Sequence, residues 1–307
     1  MNLNHGETGP SWDVVIVEAG QTSVEDEPLG TKEKFWVENP DDGMPWLFKF
    51  AREINGRILG EDWAEWLVHK FGLLLGLPTA EIRPATCEDR RGIVSKTVVP
   101  PTGRLVHGNS LLAESVPGYD PERRRENEAY TVAAVFDALK GAKAPPGMPD
   151  VFAMNAFDVW AGYLLLDALV AGRDRHHENW GIINDGGNRY IAPSFDHGNA
   201  LGFQEFDDKR LRCLQSEAQM LAWSSRGRSH HFAGRPTLVA LAMEAMALCQ
   251  AGARESWRNA IENLSEDTIV NIVSTVPSAV MSEVTRSFVV ELVLVNRRRI
   301  LDDYPVD

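Results

Sequence analysis

A chain of 307 residues, 44% hydrophobic and 24% charged, has the balance of a globular protein long enough for about two domains or one large bilobal unit. Its formal charge of −13 and pI of about 5.1 exclude the broad basic footprint of a nucleic-acid binder. The three cysteines, Cys87, Cys213 and Cys249, lie far apart and form no Cys-x-x-Cys pair, so they read as reduced structural thiols of a cytoplasmic protein.

Residues 1–12 are polar and lack the charged-then-apolar pattern of a signal peptide. A strand is expected at residues 13–19. Residues 34–38 and 46–52 flank the turn sequence Asn39-Pro40-Asp41-Asp42-Gly43 and predict a hairpin. Residues 61–75 have helical spacing, with Trp63, Trp66, Leu67, Phe71 and Leu74 on one side. Residues 80–85 and 92–99 are strand-like, and Pro100-Pro101-Thr102-Gly103 breaks the pattern.

Beyond that break the character becomes helical, with candidates at residues 126–140, 151–171, 238–251, 254–262 and 282–301. Pro145-Pro146-Gly147-Met148-Pro149 punctuates the first two. The most apolar run, residues 160–171, is too short for a membrane span and carries Asp167, so it predicts a buried helix. Residues 180–184 and 189–192 flank Asp185-Gly186-Gly187-Asn188, a second hairpin signal. The layout is α+β: a small β-rich lobe (13–100), a hinge (101–105) and a larger helical lobe (106–307).

Chemistry concentrates between the apolar helix and the second hairpin. Asp174-Arg175-His176-His177-Glu178-Asn179 is a polar loop that follows Gly172 and precedes a strand. Phosphoryl transfer needs a carboxylate near the acceptor hydroxyl and oxygen ligands for Mg²⁺, and Asp174 and Asn179 offer both. The hairpin leads into Ala192-Pro193-Ser194-Phe195-Asp196-His197-Gly198, where Asp196 suits a second Mg²⁺ position and the glycine permits a sharp turn. In the first half, Lys49 interrupts the apolar strand Trp46-Leu47-Phe48-Lys49-Phe50. Glu61 and Glu65 lie one turn apart on the following helix.

These two motifs resemble the catalytic and metal-binding segments of the HipA-like Ser/Thr kinases, and more distantly those of the phosphatidylinositol 3/4-kinases. The resemblance implies a bilobal protein-kinase-like fold that uses ATP and Mg²⁺. Asp174 would be the catalytic base, and Asn179 and Asp196 the metal ligands. Lys49 would meet the nucleotide phosphates, supported by Glu61 ahead of Glu65. Gly30, Thr31 and Lys32 occupy the place of a phosphate-covering loop, although no Gly-x-Gly-x-x-Gly is present. The expected acceptor is a Ser or Thr hydroxyl of a protein substrate; a lipid or small-molecule kinase and a nucleotide-binding pseudokinase are the alternatives. No direct nucleic-acid or membrane partner is expected. HipA toxins carry an extra N-terminal subdomain for which this chain is short, which counts against a toxin role, so a cognate antitoxin-like partner ranks behind the protein substrate.

Other polar clusters have plainer readings. His176 reads as a brace of the loop, and four clustered side chains around it lack the spacing of a Zn²⁺ site. The basic stretch with Arg226, Arg228, His230, His231 and Arg235 falls where a substrate or activation loop belongs. Arg297-Arg298-Arg299 closes a helix and suits its dipole.

Overall fold

The computed structural model describes residues 11–18, 33–39, 43–148 and 153–305. The first half is built on strands β1 (Val15–Val17), β2 (Lys34–Glu38) and β3 (Pro45–Phe50), a small hairpin of β4 (Glu53–Ile54) and β5 (Arg57–Ile58), helix α1 (Glu61–Leu74), and strands β6 (Ile82–Cys87) and β7 (Arg90–Lys96). Five of them form one sheet in the order β1-β6-β7-β3-β2, with β1 parallel to β6 and the other pairs antiparallel. Period-two alternation divides the faces of this sheet. Trp46, Phe48 and Phe50 join Val37, Ala85 and Val94 in a small core on one face. Lys49 pairs in register with Ile93, which packs into the main core with α1 on the other face.

The chain continues through β8 (Arg104–His107), α2 (Gly108–Ser115), α3 (Val132–Ala138) and α4 (Ala156–Val170), then β9 (Gly181–Asp185) and β10 (Asn188–Ile191). Six helices complete it: α5 (Asp207–Leu214), α6 (Glu217–Ser224), α7 (Leu238–Leu248), α8 (Ala251–Glu262), α9 (Glu266–Ser274) and α10 (Glu283–Asp303). Every residue of α4 is buried, as its largely apolar sequence requires, and its two acids, Asp158 and Asp167, are buried with it. Asn155 and Asp158 start α4 with a reciprocal capping box, and Ala171 ends it in the left-handed conformation at φ 54°. The apolar helix and both hairpins are therefore where the sequence puts them, although residues 40–42 and 149–152 lie outside the described residues.

Several expectations need correction. The helix expected at 126–140 is only α3, because Glu126 sits at φ 52° and Thr131 supplies the N-cap by accepting from the Ala134 N–H. Leu74, expected on the buried face of α1, is 43% exposed, whereas Trp63, Trp66, Leu67 and Phe71 are buried. The second hairpin is not alone, since β8 pairs with β9 to make a three-stranded sheet. No helix among the described residues is long and apolar enough to cross a membrane.

On α1, His69 is buried with Nδ1 2.8 Å from Thr79 Oγ1, and burial holds its pKa down at about 4. Unfolded, this imidazole titrates near its ordinary value of 6.5. As pH falls below 6.5 the unfolded chain takes up a proton that the folded chain refuses, so His69 draws stability down until about pH 4. Thermal melts at pH 7 and pH 5 should show a smaller acid-induced drop for His69→Asn than for the wild type; equal drops would remove His69 from the acid response.

Candidate functional site

Arg175 is the centre of the polar loop. Its side chain is buried, yet every arm of its fork finds an oxygen. Nε and Nη2 donate to the two carboxylate oxygens of Asp167 at 2.7 and 2.8 Å. Nη1 donates to Ser194 Oγ at 2.8 Å and to the Asn179 carbonyl at 3.1 Å. One guanidinium thus ties α4 to the loop, to the start of β9 and to the segment before Asp196. Burial pushes the Asp167 carboxyl up, and the bidentate guanidinium pulls it back. Tyr130 donates its hydroxyl to the Arg175 carbonyl, and Trp180 Nε1–H donates to Tyr130 Oη. His176, expected to brace the loop, contacts it locally: its Nδ1 accepts from the Glu178 N–H at 3.2 Å, and its ring faces that of His231. The brace that ties the loop to the rest of the fold is Arg175.

The loop so held presents Asp174 and Asn179. Asn179 is buried, and its Nδ2 donates to the Asp174 carbonyl at 2.7 Å, which leaves its Oδ1 as the atom a cation could take. Asp174 is half-buried and accepts from His231 Nε2 at 3.0 Å. Burial works against its charge, but the hydrogen bond from His231 and the neighbouring His176 and His231 rings hold its carboxyl below the usual value. Asp196 opposes them, so the two carboxylates feel one another. Both line one small cavity, together with Asn199, which the sequence did not single out.

Asp196 stands at φ 61°, a left-handed position that short polar residues tolerate and that clusters at functional sites. The backbone before it is pinned to the linker after α1: Ser194 N–H donates to the Pro78 carbonyl at 2.9 Å, and Ala80 N–H to the Ser194 carbonyl at 2.8 Å. This tie brings Asp196 Oδ1 to within 3.1 Å of Lys49 Nζ. Lys49 Nζ also donates to Glu65 Oε1 at 3.0 Å. Burial penalises the ammonium, but Asp196 and Glu65 together outweigh that and raise its pKa above the ordinary value.

The partner of Lys49 on α1 is therefore Glu65 and not Glu61. Glu61 accepts from Arg52, through Nε and the backbone N–H. Asp62 takes Arg91 at 2.8 Å. Gly30, Thr31 and Lys32 lie outside the described residues. A larger cleft of about 410 Å³, lined by Gly60, Trp63, Phe206 and Arg210, opens beside the start of α1; it contains none of Lys49, Asp174, Asn179 or Asp196.

For a bound Mg²⁺ the donor chemistry fits: a carboxylate and an amide oxygen are hard ligands, and magnesium on nucleotides ordinarily takes one or two protein oxygens plus phosphates and water. Among the described residues no group of three or more His, Cys, Asp and Glu side chains is arranged to hold a metal by itself.

No protein-family model and no curated protein matches the chain. Solved structures do. The proinflammatory kinase CtkA of Helicobacter pylori superposes with a TM-score of 0.71 at 17% identity, covering 94% of this chain and 96% of that one. This chain has a kinase fold. HipA, in the complex of the Shewanella oneidensis MR-1 toxin–antitoxin system with HipB and operator DNA, aligns at a TM-score of 0.44 and 12% identity, over 92% of this chain and 67% of that one. The kinase fold accounts for the layout of a β-rich first part carrying α1 and a helical second part carrying the polar loop.

Removing the brace leaves a buried carboxylate without its counter-charge. Arg175→Ala should lose about 3–5 kcal/mol of unfolding free energy in urea. Arg175→Lys should recover little, because an ammonium cannot span both Asp167 oxygens. Losses below about 1 kcal/mol for both variants would show that the pair does not hold the loop.

Proposed function

We propose that the protein is an ATP- and Mg²⁺-dependent phosphotransferase that moves the γ-phosphoryl group to a hydroxyl, that of a protein Ser or Thr. The single observation that carries this reading is Lys49, which bridges Glu65 of α1 and Asp196 beyond β10 at 3.0 and 3.1 Å. A cation so placed joins the β-rich part of a kinase fold to its metal-binding aspartate. The kinase fold and the resemblance of the two motifs to HipA-like kinases point the same way.

The nucleotide, when bound, supplies the phosphoryl group, and Mg²⁺ neutralises its charge. The chain's own residues then divide the work. Lys49 would bind the phosphates. Asp196 and Asn179 Oδ1 would hold the metal. Asp174 would orient the acceptor and take its proton as the new O–P bond forms and the bridging O–P bond of ATP breaks. Glu65 fixes Lys49 in place of Glu61. The division into a lobe at 13–100, a hinge at 101–105 and a lobe at 106–307 belongs to this reading. So does a cytoplasmic location, which suits three buried free cysteines.

Intact mass after incubation with ATP and Mg²⁺, alone and with a protein acceptor mixture, tests the reading. The wild type should transfer phosphate. Asp174→Ala should be slower by about 10²- to 10⁴-fold, and Asp196→Ala should be inactive. Transfer undiminished in both variants would remove these carboxylates from the site. A thermal shift with Mg·ATP but no transfer to any acceptor would favour the pseudokinase alternative.

Exchanging the glutamates separates their roles. Glu65→Gln should lower kcat by about tenfold or more, as loss of a charge-assisted hydrogen bond to Lys49 requires, whereas Glu61→Gln should stay within about threefold. Equal losses would return the pairing of Lys49 to doubt.

A further inference from the structure

We propose that His231, in the loop between α6 and α7, is the positioning residue of Asp174; the proposal rests on the phosphotransferase reading above. The ring is buried, at 5% exposure, while Asp174 is 41% exposed. Nδ1 lies 2.6 Å from the carbonyl of Arg124 and Nε2 3.0 Å from Asp174 Oδ1. Both partners are acceptor oxygens, so the ring is held between them and turns Nε2 toward the carboxylate. His231 is thereby fixed from behind by the backbone of one loop and in front by the carboxylate. Among the described residues no other side chain hydrogen-bonds that carboxylate. Oδ1 is taken, and Oδ2 is the oxygen left for an acceptor hydroxyl.

The loop that carries His231 is anchored independently. Phe232 stacks on Tyr130 with ring centroids 3.9 Å apart. Ala233 N–H donates to the Tyr130 carbonyl, and Glu126 N–H to the His230 carbonyl. Tyr130 in turn reaches the Arg175 carbonyl. His231 and the brace of the polar loop therefore share one aromatic support. Besides Asp174, the His176 ring faces His231 at 5.4 Å between centroids, and the Arg124 side chain is engaged with Glu178. A carboxylate that must meet a hydroxyl in one rotamer gains from such a clamp, because misorientation at the reacting atom is costly.

The test compares His231→Leu, which fills the space without a donor, with His231→Gln, whose amide nitrogen can still donate to Asp174. Steady-state phosphoryl transfer by the full chain is measured alongside thermal melts. For His231→Leu the expected result is a kcat lower by about 10- to 100-fold with the KM for ATP unchanged. His231→Gln should recover most of that loss. An unchanged kcat in His231→Leu overturns the proposal and leaves the phosphotransferase reading intact. Equal losses in both variants, accompanied by equal drops in melting temperature, overturn it in favour of a structural role. Absence of transfer by the wild type overturns the phosphotransferase reading itself, and the proposal with it.

Discussion

A guanidinium with no access to water must find an acceptor for each arm, and Arg175 does so by recruiting Asp167, Ser194 and the Asn179 carbonyl. Those acceptors come from α4, from the approach to Asp196 and from the start of β9. The cost of burying two charges is offset only when geometry is this complete. The polar-loop side of the candidate site hangs from that arrangement. Asp174 directly precedes Arg175, and the Asn179 carbonyl accepts from its fork, so the same side chain sets both. Ser194 lies two residues before Asp196, so the same fork sets the second carboxylate.

The first half of the chain supplies the complementary charge by a different rule. Three acids at the start of α1 are buried, and each takes its own cation: Glu61 with Arg52, Asp62 with Arg91 and Glu65 with Lys49. Arg52 lies just past the end of β3, beside the first turn of α1. Lys49 lies earlier on β3 and meets the acid one turn further along. Strand alternation turns Lys49 to the helix side while Phe48 and Phe50 fill the opposite face. Lys49 thus reaches both Glu65 and Asp196, which joins the sheet to the segment after β10.

Much of this was legible in the sequence, because local signals carried it. The turn residues Asp185-Gly186-Gly187-Asn188, the long, mostly apolar run of α4 and the clustering of Asp, Asn and Gly around two short motifs all report through spacing. On the sequence, Glu61 ranks ahead of Glu65 for Lys49, but residues four apart share a helix face, so spacing does not separate them and the pairing is a tertiary contact. The brace was not visible: Asp167 marked its helix only as a buried one and no membrane span, and nothing local named Arg175 as its partner. His231 stood out only as part of a basic stretch. Its contact with Asp174 spans 57 positions and depends on how Phe232 docks on Tyr130. The left-handed turn at Glu126, which shortens the helix expected there, belongs to the same docked region and has no sequence signal of its own.

On the proposed reading, Lys49, Asn179 and Asp196 form one nucleotide–metal site. A crystal structure with Mg²⁺ and a non-hydrolysable ATP analogue tests it most directly. Phosphate oxygens are expected within hydrogen-bond distance of Lys49 Nζ, with the metal on Asp196 and Asn179 oxygens. A nucleotide seated elsewhere, such as the larger cleft beside Trp63 and Phe206, with Lys49 still closed on Asp196, would contradict it.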